Sequence, residues 1–387
     1  MRAFLGQNRL VSLVLFASVF AACGGEPEPQ TPATVPSASV SVAPSASTPP
    51  PPPPEPTTAE LKLQAKAAFE AGDLVKARET LTIVTTKDGK DVEAWQMLAE
   101  VYVRAGDAKG ATDAYVSATT ADGGKNEALA LTAAKGLHDA HRWDELIVVV
   151  NTSLKVNDKS QPLWIHLAIA QSAKGDHAGA AETWTKLTVA FPDEPHIAAR
   201  AAVELSVAGK TDDAKKSAKA ALDKWTEARK PKFGKPLNLG RGAHELALIA
   251  RALRRSGDAA GAIVALGKYT VAKDETAPEL DVERSLAKRT KHDAAGAKSD
   301  AEKALKAGGN DYAPGILALA GASLEAKKYD DAKKQLDGYD ALAASRAPWV
   351  WELAADRDAI AYGIAQAASA AASKPAAPAG KPTPKKK

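Results

Sequence analysis

The sequence predicts an all-α chain: a solenoid of about eight stacked helical hairpins and a capping helix, flanked by an N-terminal linker and a C-terminal tail without structure. Three observations predict it. The first is the hairpin itself. In SQPLWIHLAIAQSAKGDHAGAAETWTKLTVAFP, Ser160 to Pro192, the residues Trp164, Leu167 and Ala168 share one helical face. Gly175-Asp176 breaks that helix, Ala180, Trp184 and Leu187 line the inner face of a second, and Pro192 stops it. The second is recurrence. Gly72-Asp73, Gly106-Asp107, Gly175-Asp176 and Gly257-Asp258 mark the same turn, and Gly209 marks it with the glycine alone. Five residues on stand Ala77, Ala111, Ala180, Ala214 and Ala262, and most intervals are 34 or 35 residues. The third is composition: 45% apolar but only 5% aromatic residues favour helices packed closely on small side chains. A lone hairpin cannot bury its apolar face, so each unit requires neighbours of its own kind.

The chain opens on a secretory pattern. Residues 1–22 carry Arg2 and Arg9, an apolar run from Leu10 to Phe20, and Ala21-Ala22 before Cys23. That run is shorter than the ~20 residues that span a bilayer. Cys23 is the one cysteine, which excludes an internal disulfide framework and a cysteine-based zinc site. The segment Val19-Phe20-Ala21-Ala22-Cys23-Gly24 resembles the lipobox of bacterial lipoproteins, with Phe20 where that family usually has leucine. The resemblance implies a signal peptide removed before Cys23 and lipid attachment at that cysteine. Gly24, rather than aspartate, implies anchoring to the outer membrane of a bacterial cell envelope, with the body in the periplasm. Two or more acyl chains hold firmly where one is marginal, each buried CH₂ contributing ~0.8 kcal/mol.

Residues 23–56 form the linker. Its Pro, Ser, Ala and Thr residues, with Pro49 to Pro54 consecutive, cannot build a core and favour polyproline II. At ~3.1 Å per residue the segment reaches on the order of 100 Å. It is a tether or a ligand for proline-binding domains.

The repeat array occupies residues 57–346. Three units lack the turn glycine and are recognised by Leu146, Ala297 and Ala332 at the later position, with Trp143 and Tyr329 just before two of them. The unit Ala94 to Ala118 carries Trp95, Leu98, Ala99, Tyr102, Gly106, Ala111, Tyr115 and Ala118. This period and pattern resemble the tetratricopeptide repeat (TPR) family over eight units. The small residues let the two helices of a unit approach closely, while Trp184 and Leu266 fill the gap to the next unit. Between Gly209 and Gly257 the interval lengthens to 48 residues through an insertion at 229–242, RKPKFGKPLNLGRG. Its prolines, glycines and five cations predict a loop, which is a functional finger, a hinge or a solvated insertion. Residues 347–373, with Trp349, Trp351, Leu353 and Ile360, predict a capping helix over the last unit. Residues 374–387 form a basic tail that touches an anionic surface or keeps the end soluble.

The charges of leader, linker and tail account for the net +4, so the middle of the chain is neutral and offers no global field for nucleic acid. Catalytic constellations are missing too. Gly240-Arg241-Gly242 is no nucleotide loop, His138 and His141 lack a carboxylate to complete a metal set, and HELAL at His244 lacks the second histidine of a zinc protease. The expectation is a protein without catalytic residues, cofactor or metal.

The resemblance implies that the first helix of each unit lines a concave groove. Its groove positions place Leu131, Ile165, Ile169, Val203 and Val207 there, either as a peptide or helix site or buried by curvature or by the chain itself. Further along they place Arg251, Arg254 and Arg255, with Arg289 beside them. These form a cationic end suited to a peptide carboxylate, or ordinary helix-end charges facing the macrodipole. Lys62 and Lys66 occupy two places of the clamp used by chaperone-binding relatives, but Met97 and Glu100 do not fit it. Two functions follow from the resemblance: a membrane-anchored periplasmic scaffold that binds protein partners in envelope assembly, or a cell-wall protein gripping peptidoglycan or another anionic polymer through the basic loop and tail.

Overall fold

A computed structural model of the protein describes residues 55–228, 240–267, 276–343 and 350–372. The chain divides into two units, Met1–Glu55 and Pro56–Lys387. The leader, Cys23, the linker to residue 54, residues 229–239 of the insertion and the basic tail lie outside the described residues.

Among the described residues the second unit holds seventeen helices and no strand. They pair as eight hairpins. The first four are α1 (Thr58–Glu70) with α2 (Leu74–Lys87), α3 (Val92–Arg104) with α4 (Ala108–Asp122), α5 (Glu127–Asp139) with α6 (Trp143–Leu154), and α7 (Gln161–Ala173) with α8 (His177–Ala190). The next four are α9 (Pro195–Val207) with α10 (Thr211–Ala228), α11 (Gly240–Arg255) with α12 (Ala259–Gly267), α13 (Pro278–Thr290) with α14 (Ala294–Gly308), and α15 (Ala313–Glu325) with α16 (Tyr329–Ala343). A last helix, α17 (Val350–Ala372), follows. No described helix is long and apolar enough to cross a membrane.

The Gly-Asp pair closes one helix and opens the next. Gly72 and Gly106 sit at φ +83° and +75°, the left-handed region that a Cβ disfavours. The Asp73 N–H then donates to the Ala68 carbonyl at 2.9 Å, and Asp107 to Tyr102 at 2.9 Å. The same aspartates cap the second helix: the Asp73 carboxylate accepts from the Lys76 N–H at 3.0 Å and that of Asp107 from Gly110 at 2.8 Å. In the three units without the glycine, His141, His292 and Lys327 adopt the same left-handed conformation, at φ 56°, 60° and 60°. The turn geometry is therefore common to all eight hairpins. Ala77, Ala180, Ala214, Ala262, Ala297 and Ala332, with Leu146, are fully buried five residues further on.

In the C-terminal half, α9, α11, α13, α15 and α17 pack side by side in an inner row, while their second helices make no comparable row. The insertion is shorter than its composition suggests. Helix α11 begins at Gly240, so Gly240-Arg241-Gly242 forms its first turn rather than the end of a loop. Apolar residues from Ala243 onward stabilise that helix enough to outweigh the low propensity of two glycines. Helix α17 covers α15 and α16, burying Leu353 and Ile360 with Leu317, Leu336 and Tyr339. That is the expected cap.

Candidate partner-binding site

Helix α11 turns Arg251, Arg254 and Arg255 to one side, the spacing of one and of nearly one helical turn. They do not face an open groove. The first two turns of α17 lie against them, and α17 carries Glu352 and Asp356 four residues apart on one face.

The resulting network is dense. Glu352 bridges Arg200 of α9 (3.1 Å) and Arg251 of α11 (3.1 Å). Asp356 takes Arg254 at 2.6 Å and Arg255 at 2.6 Å. Glu283 of α13 accepts from Arg251 Nε at 2.7 Å and from Arg254 Nη2 at 3.0 Å. Arg255 also donates to the Glu352 main-chain carbonyl at 3.0 Å. Glu283 is 1% exposed and Arg254 6%, so these charges stabilise each other in place of water. Even so, donors outnumber acceptors: the Nε atoms of Arg254, Arg255 and Arg289 are buried without a hydrogen-bond partner among the described residues.

The titration of these groups follows from the geometry. Burial alone would raise the Glu352 carboxyl, but Arg200 and Arg251 outweigh it and hold the pKa at about 2. Burial likewise opposes ionisation of Asp356, and the Arg254 and Arg255 charges hold it far below the usual carboxylate range. Arg251 and Arg254 are desolvated, yet the carboxylates around them keep them protonated. Arg289 lacks such compensation. Burial pushes its pKa down, with Asp356 the main opposing charge. At the edge of the network Glu204 accepts from Ser172 Oγ at 2.7 Å and pairs with His177 Nδ1 at 2.8 Å. That hydrogen bond outweighs burial and raises the histidine's pKa.

Eight of the nine residues expected to bind a partner therefore separate into two groups, and the ninth, Arg289 of α13, is half-buried with its Nε atom enclosed. Arg251, Arg254 and Arg255 are engaged within the chain, and Val203 and Val207 line a small pocket of about 20 Å³ shared with Glu352 and Ala355. This corrects the expectation of an open cationic end, because α17 fills it. Leu131, Ile165 and Ile169 are half-buried on the first helices of the third and fourth hairpins, against apolar clusters that both include Trp164. They stay clear of the network. A larger cavity of about 450 Å³ lies beside α17, lined by His244, Leu248, Arg251, Glu279, Tyr312 and Glu352.

Sequence reasoning missed Arg200, Glu283, Glu352 and Asp356. A signal existed: carboxylates four apart on the last helix match guanidinium groups three and four apart on α11. The histidines noted in the sequence have other partners. His138 meets Trp143 edge-on at 5.3 Å and His166 at 5.9 Å, and burial lowers the pKa of both His138 and His166. Among the described residues no group of three His, Cys, Asp or Glu side chains is placed to hold a metal ion.

Fold and site together define an all-α solenoid of helical hairpins in which the chain's own last helix lies across the inner row of the C-terminal half. Among solved structures, the chain is similar to a tetratricopeptide repeat protein from Parabacteroides merdae, at 18% identity over 68% of this chain and 98% of that one, with a TM-score of 0.42. It is also similar to YrrB, described as a TPR protein with an unusual peptide-binding site, at 16% identity over 43% of this chain and 86% of that one, TM-score 0.33. A third is PilW, described as a widely conserved type IV pilus biogenesis factor, at 16% identity over 55% and 91%, TM-score 0.33. No family model matches the sequence, and no curated protein matches it.

Proposed function

We propose that this protein is a non-enzymatic scaffold, held by lipid on Cys23 at the periplasmic face of an outer membrane, which binds protein partners on the inner row of its hairpins. One observation carries the reading. The first helices of the third and fourth hairpins offer half-buried Leu131, Ile165 and Ile169, a row of apolar side chains of the kind that receives an extended or helical peptide. The lipobox-like segment at residues 19–24 supports the anchor, and the proline-rich linker supports display of the hairpins away from the lipid.

The test places a photo-crosslinking amino acid at Ile165 in living cells, with a control at the exposed Val264 on α12. A defined protein captured from position 165, not from 264, and lost in a folded Leu131→Asp/Ile169→Asp variant, is the expected result. Identical capture at both positions, or capture of cell-wall fragments alone, would sink the scaffold reading. Cys23→Ser should release the protein from the membrane fraction and abolish incorporation of labelled palmitate.

A further inference from the structure

A helix that only caps the last hairpin needs an apolar face, and α17 has one in Leu353 and Ile360. Glu352 and Asp356 serve no capping purpose. They reach back to α9 and α11, up to 152 residues earlier in the chain, and enter a recess where the guanidinium groups of Arg200, Arg251, Arg254 and Arg255 converge beside Glu283 and Val203. Buried ion pairs add little to stability compared with apolar packing of the same volume, but they discriminate sharply over what occupies the recess. The recess also reaches the end of α7, the helix that carries Ile165 and Ile169, since Ser172 lines the same small pocket as Val203, Arg251 and Glu352.

We infer that the arginine-lined end of the inner row is a docking site for an acidic helix of a partner protein, which α17 occupies in cis and from which it is displaced. The inference rests on reading the inner row as a partner-binding surface. Charge complementarity identifies the occupant. Arg200, Arg251, Arg254 and Arg255 select a helix with carboxylates at i and i+4, and the apolar seat selects a large side chain at i+1 and another at i+8, the places of Leu353 and Ile360. The unpartnered Nε atoms of Arg254 and Arg255 leave donors for a helix richer in carboxylates than α17. Glu352 and Leu353 line the cavity of about 450 Å³ next to α17, which gives an incoming helix access to that edge.

The test uses the full chain and a fluorescent peptide of residues 350–372, with a second peptide carrying Glu352→Gln and Asp356→Asn. Wild-type protein should bind the carboxylate peptide weakly. The E352Q/D356N chain, whose own helix no longer neutralises the arginines, should bind it at least tenfold more tightly, and should bind the Gln/Asn peptide at least tenfold more weakly than the carboxylate one. Equal binding of the two peptides would leave only an apolar cap, and no gain in the variant would show that α17 does not compete; either overturns the proposal. Dimerisation of the variant through exchanged α17 would assign the site to a second copy and likewise overturn it. Should the variant fail to fold, hydrogen exchange on wild-type protein decides. The α17 amides should exchange together and faster than those of α11 and α15, whereas equal protection would refute displacement. Crosslinking from Ile165 that persists while these outcomes fail would reject the latch and leave the scaffold reading standing.

Discussion

The first four hairpins and the last four bury different kinds of polar group. In α1 to α8 the buried polar residues are hydroxyls: Thr80, Thr85, Thr112, Thr119, Ser153, Ser160, Ser172 and Thr183. From α9 onward they include Glu204, Glu245, Arg251, Arg254, Glu283, Asp300 and Asp356. A buried hydroxyl can satisfy itself locally. Thr85 donates to the Leu81 carbonyl at 3.0 Å and Thr119 to the Tyr115 carbonyl at 2.8 Å, both one turn back on the same helix. A buried charge needs an opposite charge; Asp300 finds Lys288 and Lys303 in its own hairpin, but the partners of Arg251, Arg254, Glu283 and Asp356 come from other hairpins or from α17. Ion pairs in the first half, such as Lys109–Asp113 at 2.9 Å, lie at the surface and contribute little. One architecture thus supports two regimes: a stack held by nearest neighbours, and a clasp held by charges distant in sequence.

The sharpest way to break this contrast is Glu283→Ala. It leaves Arg251 and Arg254 short of a buried acceptor, and removing one partner of such a set costs about 3–5 kcal/mol. Hydrogen exchange followed by mass spectrometry should show α9, α11, α13 and α17 losing protection together while α1 to α6 are unchanged. Equal loss in the first half would show that the two regimes are one. Leu81→Ala is the converse test. Leu81 is fully buried in the cluster of the first two hairpins, and the truncation should cost about 2–5 kcal/mol, with faster exchange confined to α1 through α4.

Acid separates the halves without mutation. The folded pKa of Glu352, about 2, lies below its ordinary 4.5, so its contribution is complete above pH 4.5 and disappears as pH falls through 2. A displacement of that size corresponds to on the order of 3 kcal/mol, and Asp356 acts in the same direction. Exchange measured between pH 5 and pH 2, corrected for intrinsic rates, should show α17 and α11 opening before α3 and α5. Simultaneous opening would remove electrostatics as the difference between the halves. The smallest effect should be common to both. His141→Gly and Lys327→Gly relieve a left-handed residue in the first and second half respectively, and each should stabilise by about 1 kcal/mol. Unequal gains in thermal unfolding would show that the hairpin turn senses which half it belongs to.

Much of this fold was legible because its determinants are local. A glycine with positive φ, an aspartate three residues before the N–H it caps, and a small residue five positions after the glycine all fall within one turn. Register survived even where His141, His292 and Lys327 replaced the glycine, because the buried positions that follow kept their place. The site was legible only in part. Arg251, Arg254 and Arg255 stand on α11, a helix of the inner row, but whether that row is open depends on how far it curls, and a hairpin repeat does not encode that in any one unit. Val203 illustrates the limit: its position on α9 is right for a groove, yet it is 7% exposed because the row curls far enough for α17 to cover it.

The Arg200–Glu352 pair joins residues 152 apart, and this sets an order of events while the chain is being made. At about 5–20 residues per second, several seconds or more separate the synthesis of α9 from that of α17. The early hairpins need only their neighbours and can complete their cores as they emerge. The arginines of α11 must stay hydrated until the last helix arrives, because burying them sooner would strand their charge. The second half is therefore expected to mature late, with a slower rate set by closing a long loop. Pulse-labelled exchange during refolding would show protection arising first in α1 to α8, then in α9 to α15, and last in α17. Protection of α17 ahead of α11 would refute that order.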